Sequence, residues 1–109
     1  MSTKEILVAA RARLADPAHW TKGCFARDTE GLSVNKDDDK AVCWCLAGAI
    51  LKESPNINAG IAALMALEQG LDRKYLKKFG PVPEFNDSED SSHKDVISLL
   101  DKTITSIES

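Results

Sequence analysis

The chain has 109 residues, of which 43% are hydrophobic and 28% are charged, and its formal net charge is −3. This length and balance are those of one ordinary globular domain and exclude a chain that is disordered throughout. The acidic excess disfavours direct binding of DNA or RNA, because proteins that bind phosphate backbones carry a basic patch or stripe.

The same composition bears on location. The N-terminal residues lack the pattern of an export signal, and the apolar runs are far shorter than the roughly 20 residues that span a membrane. Three cysteines, Cys24, Cys43 and Cys45, are an odd number in a chain large enough to fold without disulfides. We therefore expect a cytoplasmic protein with free thiols and no membrane segment, and no motif for a cofactor is present.

Helical spacing of apolar residues predicts a mainly α protein, a compact bundle of four to five helices over residues 1–109. The first helix is expected at residues 2–15, because Ser2 and Glu5 have the spacing of a capping box. Its apolar face comprises Ile6, Leu7, Ala10 and Leu14.

Residues 17–40 are a long connection of glycines, charges and isolated apolar residues. A stretch of this length is expected to be ordered, packed through Trp20 and Phe25, with a short strand pair around residues 25–27. Long ordered loops often carry binding residues, so this segment is a candidate functional region.

An acidic run, Asp37-Asp38-Asp39, precedes the second predicted helix at residues 40–52. Asp39 is expected to cap that helix. A calcium loop starting at Asp37 would have Ala41 at its fifth position and no Glu at its twelfth, so calcium binding is not predicted. The helix has an apolar stripe of Val42, Cys45, Leu46, Ala49 and Ile50.

Three further segments complete the predicted elements. A third helix follows Asn56 and ends near Gly70, with an apolar face of Ile57, Ile61, Leu64 and Met65 that can extend to Leu67. Residues 71–78 are expected to form a short helix or turn, and the prolines at 81 and 83 to stop regular structure before a polar loop at residues 84–92. The last helix, at residues 92–107, is expected to be capped by Ser91 or Ser92, and its apolar face comprises His93, Val96, Ile97, Leu100, Ile104 and Ile107.

The second and last helices are expected to pack together at the centre of the core, because both apolar faces are continuous. Small residues around Gly48 allow another backbone to approach, and we expect the last helix there. In this arrangement Cys45, Leu46 and Ala49 lie against Val96, Ile97 and Leu100. Trp44 then reaches the loop that contains Trp20 and Phe25.

Two short motifs carry a family resemblance: Trp44-Cys45-Leu46-Ala47-Gly48-Ala49, and Phe85-Asn86-Asp87 followed by His93. The chain resembles, from Trp20 to Ile104, a family of small uncharacterised proteins from bacteria and their phages. That family is marked by a Trp-Cys-x-x-Gly-Ala motif and a later aromatic-Asn-Asp motif followed by a His, and the chain departs from it in having Phe85 in place of Trp. The resemblance implies a bacterial or phage accessory protein and no particular activity.

One hypothesis from these residues is a small cysteine hydrolase or transferase. Cys45 near a helix start would be the nucleophile, His93 the base, and Asn86 or Asp87 the orienting group. Against it, Cys45 lies in an apolar stripe, where a thiol is commonly buried and its pKa is raised.

Zinc binding by Cys24, Cys43, Cys45 and either His19 or His93 is disfavoured, because no Cys-x-x-Cys or His-x-x-x-His pair is present. The favoured hypothesis is a non-enzymatic binding or interaction protein for a protein or small-molecule ligand. It presents the 17–40 segment, and the 84–92 loop, as the binding surface. The predicted binding residues are Trp20, Arg27, Asp28, Trp44, Asn86, Asp87 and His93.

Overall fold

The computed structural model describes residues 2–71, 80–89 and 91–107. Within these ranges the chain forms five α-helices: α1 (Thr3–Leu14), α2 (Leu46–Glu53), α3 (Ile57–Glu68), α4 (Pro81–Asp87) and α5 (His93–Ser106). A 3₁₀ turn, Pro17–His19, follows α1. Residues 72–78 of the predicted short helix or turn lie outside the described residues.

A three-stranded antiparallel sheet lies between α1 and α2, with the order β2-β1-β3. Its two-residue strands are β1 (Ala26–Arg27), β2 (Ser33–Val34) and β3 (Cys43–Trp44), and Ala26 pairs with both Val34 and Trp44. The predicted mainly α class and the strand around residues 25–27 are confirmed. No helix among the described residues is long and apolar enough to cross a bilayer.

Helix α1 lies at the centre of the core. Ser2 and Glu5 form the predicted capping box, and the four predicted apolar residues Ile6, Leu7, Ala10 and Leu14 are fully buried. The helix packs against α2, α3 and α5. The expectation that the second and last helices form the central pair is therefore wrong, since α1 supplies the main partner of both.

The second helix begins six residues later than predicted. Residues 43–44 are extended in β3, and the N-cap of α2 is Cys45, whose Sγ accepts a hydrogen bond from the Gly48 amide at 3.2 Å. Asp39 does not cap it: it is exposed in a turn that ends before the strand. Val42 likewise lies outside the helix and is exposed. Residues 43–44 form a strand because they hydrogen-bond to β1. This tertiary pairing outweighs the local apolar spacing that predicted a helix here.

The close approach at Gly48 comes from a loop backbone and not from the last helix. A Cβ at Gly48 would lie 2.3 Å from the Phe25 carbonyl oxygen, and the Cys45 amide donates to that same oxygen at 3.1 Å. Glycine is thus required here by space, since any side chain would collide with the loop backbone at Phe25, just before β1.

Helix α3 turns a different face inward from the one predicted. Gly60, Ala63 and Leu67 are buried, so Leu67 of the predicted face is confirmed, whereas Ile57 (63%), Ile61 (46%) and Met65 (56%) of that face are exposed. Small residues let α3 approach closely, and a Cβ at Gly60 would lie 2.8 Å from Leu51 Cδ2. The hydrophobic pattern alone could not select between these faces, because α3 is apolar nearly all round.

Residues 81–87 form α4 instead of ending regular structure. Pro81 occupies the first turn, where proline is favoured because its missing N–H needs no partner, and Gly80 adopts φ 70° at the N-cap. The first four residues of the predicted polar loop at 84–92 are therefore helical, and α4 ends at Asp87. Ser92 then caps α5 as predicted, in a capping box with Asp95. Leu99 and Thr103 join Val96 and Leu100 in its buried face.

Candidate functional site

The side chain of Asn86 joins the two motifs and the 17–40 segment. It is completely buried at the C-terminal end of α4. Its Oδ1 accepts hydrogen bonds from Trp20 Nε1 at 2.7 Å and from the Leu46 amide at 3.0 Å, and its Nδ2 donates to the Thr21 carbonyl oxygen at 3.0 Å. Because two obligate donors meet one atom, the amide orientation is determined. Asn86 therefore connects α4, the start of α2 and the chain around Trp20.

Asp87 extends this connection to the next turn of the 17–40 segment. Its Oδ1 accepts from the Gly23 amide at 2.9 Å and from Asn86 Nδ2 at 3.0 Å. Lys22 Nζ donates to the carbonyl oxygens of Ser88 and Ser91, each at 2.7 Å. Lys22 therefore links the 17–40 segment to residues between α4 and α5. The predicted pair Asn86 and Asp87 thus holds the 17–40 segment against α4.

The two tryptophans are brought together through their backbones. Trp20 and Trp44 form an isolated parallel bridge, and the Thr21 amide donates to the Trp44 carbonyl oxygen at 3.0 Å. The Trp44 indole reaches the 17–40 segment, as predicted, and does so at Lys36: its Nε1 donates to the Lys36 carbonyl oxygen at 3.0 Å. The Arg13 guanidinium lies 4.5 Å from the Trp44 ring centroid, in cation–π contact.

Arg27 and Asp28 are occupied within their own loop. The Arg27 guanidinium donates to Thr21 Oγ1, to the Gly31 carbonyl oxygen and to the Lys22 carbonyl oxygen, at 2.8–3.0 Å. Asp28 Oδ1 accepts from the Glu30 and Leu32 amides, which forms the turn between β1 and β2. These contacts shape the loop and use three of the five N–H groups of the guanidinium.

Cys45 and His93, the proposed nucleophile and base, form hydrogen bonds with different partners and not with each other. His93 Nε2 lies 2.6 Å from the Leu14 carbonyl oxygen, and its ring lies 6.1 Å from the Trp20 ring. Burial raises the pKa of the Cys45 thiol to about 11, and the negative charge of Asp87 adds to that increase, although the Gly48 hydrogen bond opposes it. The thiol is therefore neutral near pH 7, and the described contacts supply it with no base.

The described residues contain no group of three or more His, Cys, Asp or Glu side chains placed to hold a metal ion. All three cysteines are free thiols, and of the three only Cys45 is buried.

A cleft of about 350 Å³ lies between the 17–40 segment and α4. Eight residues line it: Gly23, Cys24, Phe25, Ser33, Val34, Cys45, Pro83 and Asp87. Its volume falls at the lower end of the roughly 300–1,000 Å³ that small-molecule sites occupy. We call this feature the α4 cleft.

The α4 cleft contains only one of the seven predicted binding residues, Asp87. Of the others, Asn86 accepts a hydrogen bond from Trp20 and His93 contacts the Leu14 carbonyl oxygen, while Trp44, Arg27 and Asp28 make contacts that order the 17–40 segment. Sequence reasoning did not identify Cys24, Ser33, Val34 or Pro83 as lining residues. One available signal was Phe25, an isolated loop aromatic that the structure leaves half exposed.

Comparison with family models gives one result that covers nearly the whole chain. Comparison with curated proteins and with solved structures gives no match. The match to the family model extends over residues 1–106 and therefore includes every helix, every strand and the α4 cleft. The chain belongs to the family of unknown function DUF6197.

Proposed function

We propose that this protein is a non-enzymatic binding domain whose ligand site is the α4 cleft. The observation that carries this proposal is the cleft itself, formed where an ordered loop meets α4 and braced by the buried Asn86 hydrogen bonds. Rigid support beneath a loop-lined hollow is the usual arrangement of a small-molecule site.

The chemistry of the cleft favours binding over catalysis. Its one buried nucleophile, Cys45, is neutral near pH 7 and caps α2. His93, the proposed base, contacts the Leu14 carbonyl oxygen instead of the thiol. The groups that a cysteine hydrolase needs close together are thus engaged in separate structural contacts.

Three further features of the proposal come from the sequence. The resemblance to bacterial and phage proteins supports an accessory role, and the net charge of −3 supports a ligand other than nucleic acid. The free thiols support a reducing, cytoplasmic location. The identity of the neighbouring genes tests the accessory role, and fractionation of the source cell tests the cytoplasmic location.

Blocking the cleft tests the proposed site. Ser33 lies on the exposed edge strand β2 and lines the cleft, so Ser33→Trp should fill it without disturbing the core. Thr29→Trp is the matched control, because Thr29 is exposed on the same loop and does not line the cleft. We expect a library of small organic fragments to shift the amide NMR signals of cleft residues in the native protein and in Thr29→Trp. These shifts should be lost in Ser33→Trp, and fragment binding that is unchanged in Ser33→Trp would refute the site.

A further inference from the structure

The α4 cleft combines an apolar wall with one charged side chain. Phe25 is 50% exposed, and Val34 and Pro83 add further apolar surface. Asp87 is the charged residue among those lining the cleft, since the Cys45 thiol is neutral near pH 7. A ligand that fills this space therefore meets apolar surface and one negative charge.

The Asp87 carboxylate is fixed in position but keeps an oxygen for a ligand. Both bonds that hold it, from the Gly23 amide and from Asn86 Nδ2, go to Oδ1. Among the described residues, Oδ2 has no hydrogen-bond donor. A carboxylate held by two N–H groups on one oxygen loses little freedom when a donor binds the other oxygen.

The two basic side chains that flank the lining residues 23–25 in the sequence, Lys22 and Arg27, are engaged elsewhere. Arg27 donates to three oxygen atoms of its own loop, and Lys22 donates to the carbonyl oxygens of Ser88 and Ser91. In the part of the chain that the structure describes, Asp87 forms no ion pair. Its charge is consequently available to a cation from outside the protein.

We infer that the α4 cleft binds a small organic cation, an ammonium group attached to an aromatic or similarly compact apolar body. The ammonium would donate to Asp87 Oδ2, and the apolar body would contact Phe25, Val34 and Pro83. An amine close to Phe25 also gains from the ring face by cation–π attraction. The volume of about 350 Å³ suits such a molecule better than the surface of a folded partner. This inference rests on the proposed function, because it specifies the ligand of the same cleft.

Three probes of equal size and different charge test it: 2-phenylethylamine, 2-phenylethanol and phenylacetate. Each is titrated into ¹⁵N-labelled protein, and affinity is taken from the amide shifts of Gly23, Val34 and Asp87. We expect the amine to bind about tenfold more tightly than the alcohol, as a charge-assisted hydrogen bond provides, and the carboxylate to bind most weakly.

Asp87→Asn removes the charge and retains an oxygen that accepts from Gly23. It should reduce the affinity of the amine about tenfold, to that of the alcohol, and leave the alcohol unchanged. Asp39→Asn is the matched control, since it removes one exposed carboxylate that does not line the cleft. Melting temperatures of both variants confirm that each remains folded under the conditions of the titration.

The outcomes separate the two proposals. If amine and alcohol bind the cleft equally, or if Asp87→Asn leaves amine binding unchanged, the cation specificity is wrong and the cleft remains a binding site. If none of the three probes shifts the cleft residues, the ligand class is wrong, and absence of binding by the whole fragment library as well would overturn the proposed function.

Discussion

Loss of the Asn86 amide should destabilise the whole protein, because this one buried side chain joins three segments that are distant in sequence. Asn86→Ala leaves the Leu46 amide without its acceptor at the buried start of α2, which costs about 1–3 kcal/mol. The bonds to Trp20 Nε1 and to the Thr21 carbonyl oxygen are partly buried and contribute about 1 kcal/mol each. The expected loss is about 3–5 kcal/mol, a large part of the roughly 5–15 kcal/mol typical of a domain.

Urea unfolding followed by far-UV circular dichroism and by tryptophan fluorescence measures this loss, which corresponds to a melting-temperature decrease of about 15–20 °C. Asn86→Leu separates hydrogen bonding from volume, since it fills the space but cannot bond, and it should be destabilised to a similar extent. Asn58→Ala is the matched control on an exposed position of α3 and should change stability by less than about 0.5 kcal/mol. An Asn86→Leu variant as stable as the native protein would refute the reasoning.

Three more outcomes are expected. Leu100→Ala should cost about 2–5 kcal/mol in denaturant unfolding because Leu100 is fully buried, whereas Leu32→Ala, at a 59% exposed position, should cost little; equal effects would contradict the described core. Gly48→Ala should lower stability by about 3 kcal/mol, because the new Cβ meets the backbone. Gly60→Ala meets side-chain atoms of Leu51 and Ser54 and no backbone, so it should cost clearly less. The reverse order of the two melting temperatures would exclude the close approach at Gly48. In a variant with the other two cysteines replaced by serine, Cys45 should react with iodoacetamide at about pH 7.5 at least a hundredfold more slowly than a free thiol, because its pKa is about 11. Rapid alkylation of the native protein would instead support the hydrolase hypothesis.

The two motifs of the family resemblance acquire a structural meaning in the fold. Asn86 of the second motif accepts a hydrogen bond from Leu46, within the first motif, and Gly48 leaves space for the Phe25 backbone. Cys45, the residue before Leu46 in the first motif, is the N-cap of α2. The motif residues therefore hold the 17–40 segment against α2 and α4, and the cleft that results is lined mainly by residues outside the motifs.

Local sequence patterns by themselves determined α1, the Ser92 cap and the mainly α class, because capping boxes and helical spacing act within a few residues. The face of α3 was decided by tertiary structure, since a helix that is apolar nearly all round has no local signal for its buried side. Likewise, only pairing with β1 made residues 43–44 a strand and moved the start of α2 to Cys45. The α4 cleft depends on contacts between residues 23–34 and residues 83–87, which no local pattern encodes. This is why Asp87 is the one predicted binding residue that lines it, while Asn86 joins α4 to Trp20 and both Arg27 and Asp28 shape the loop.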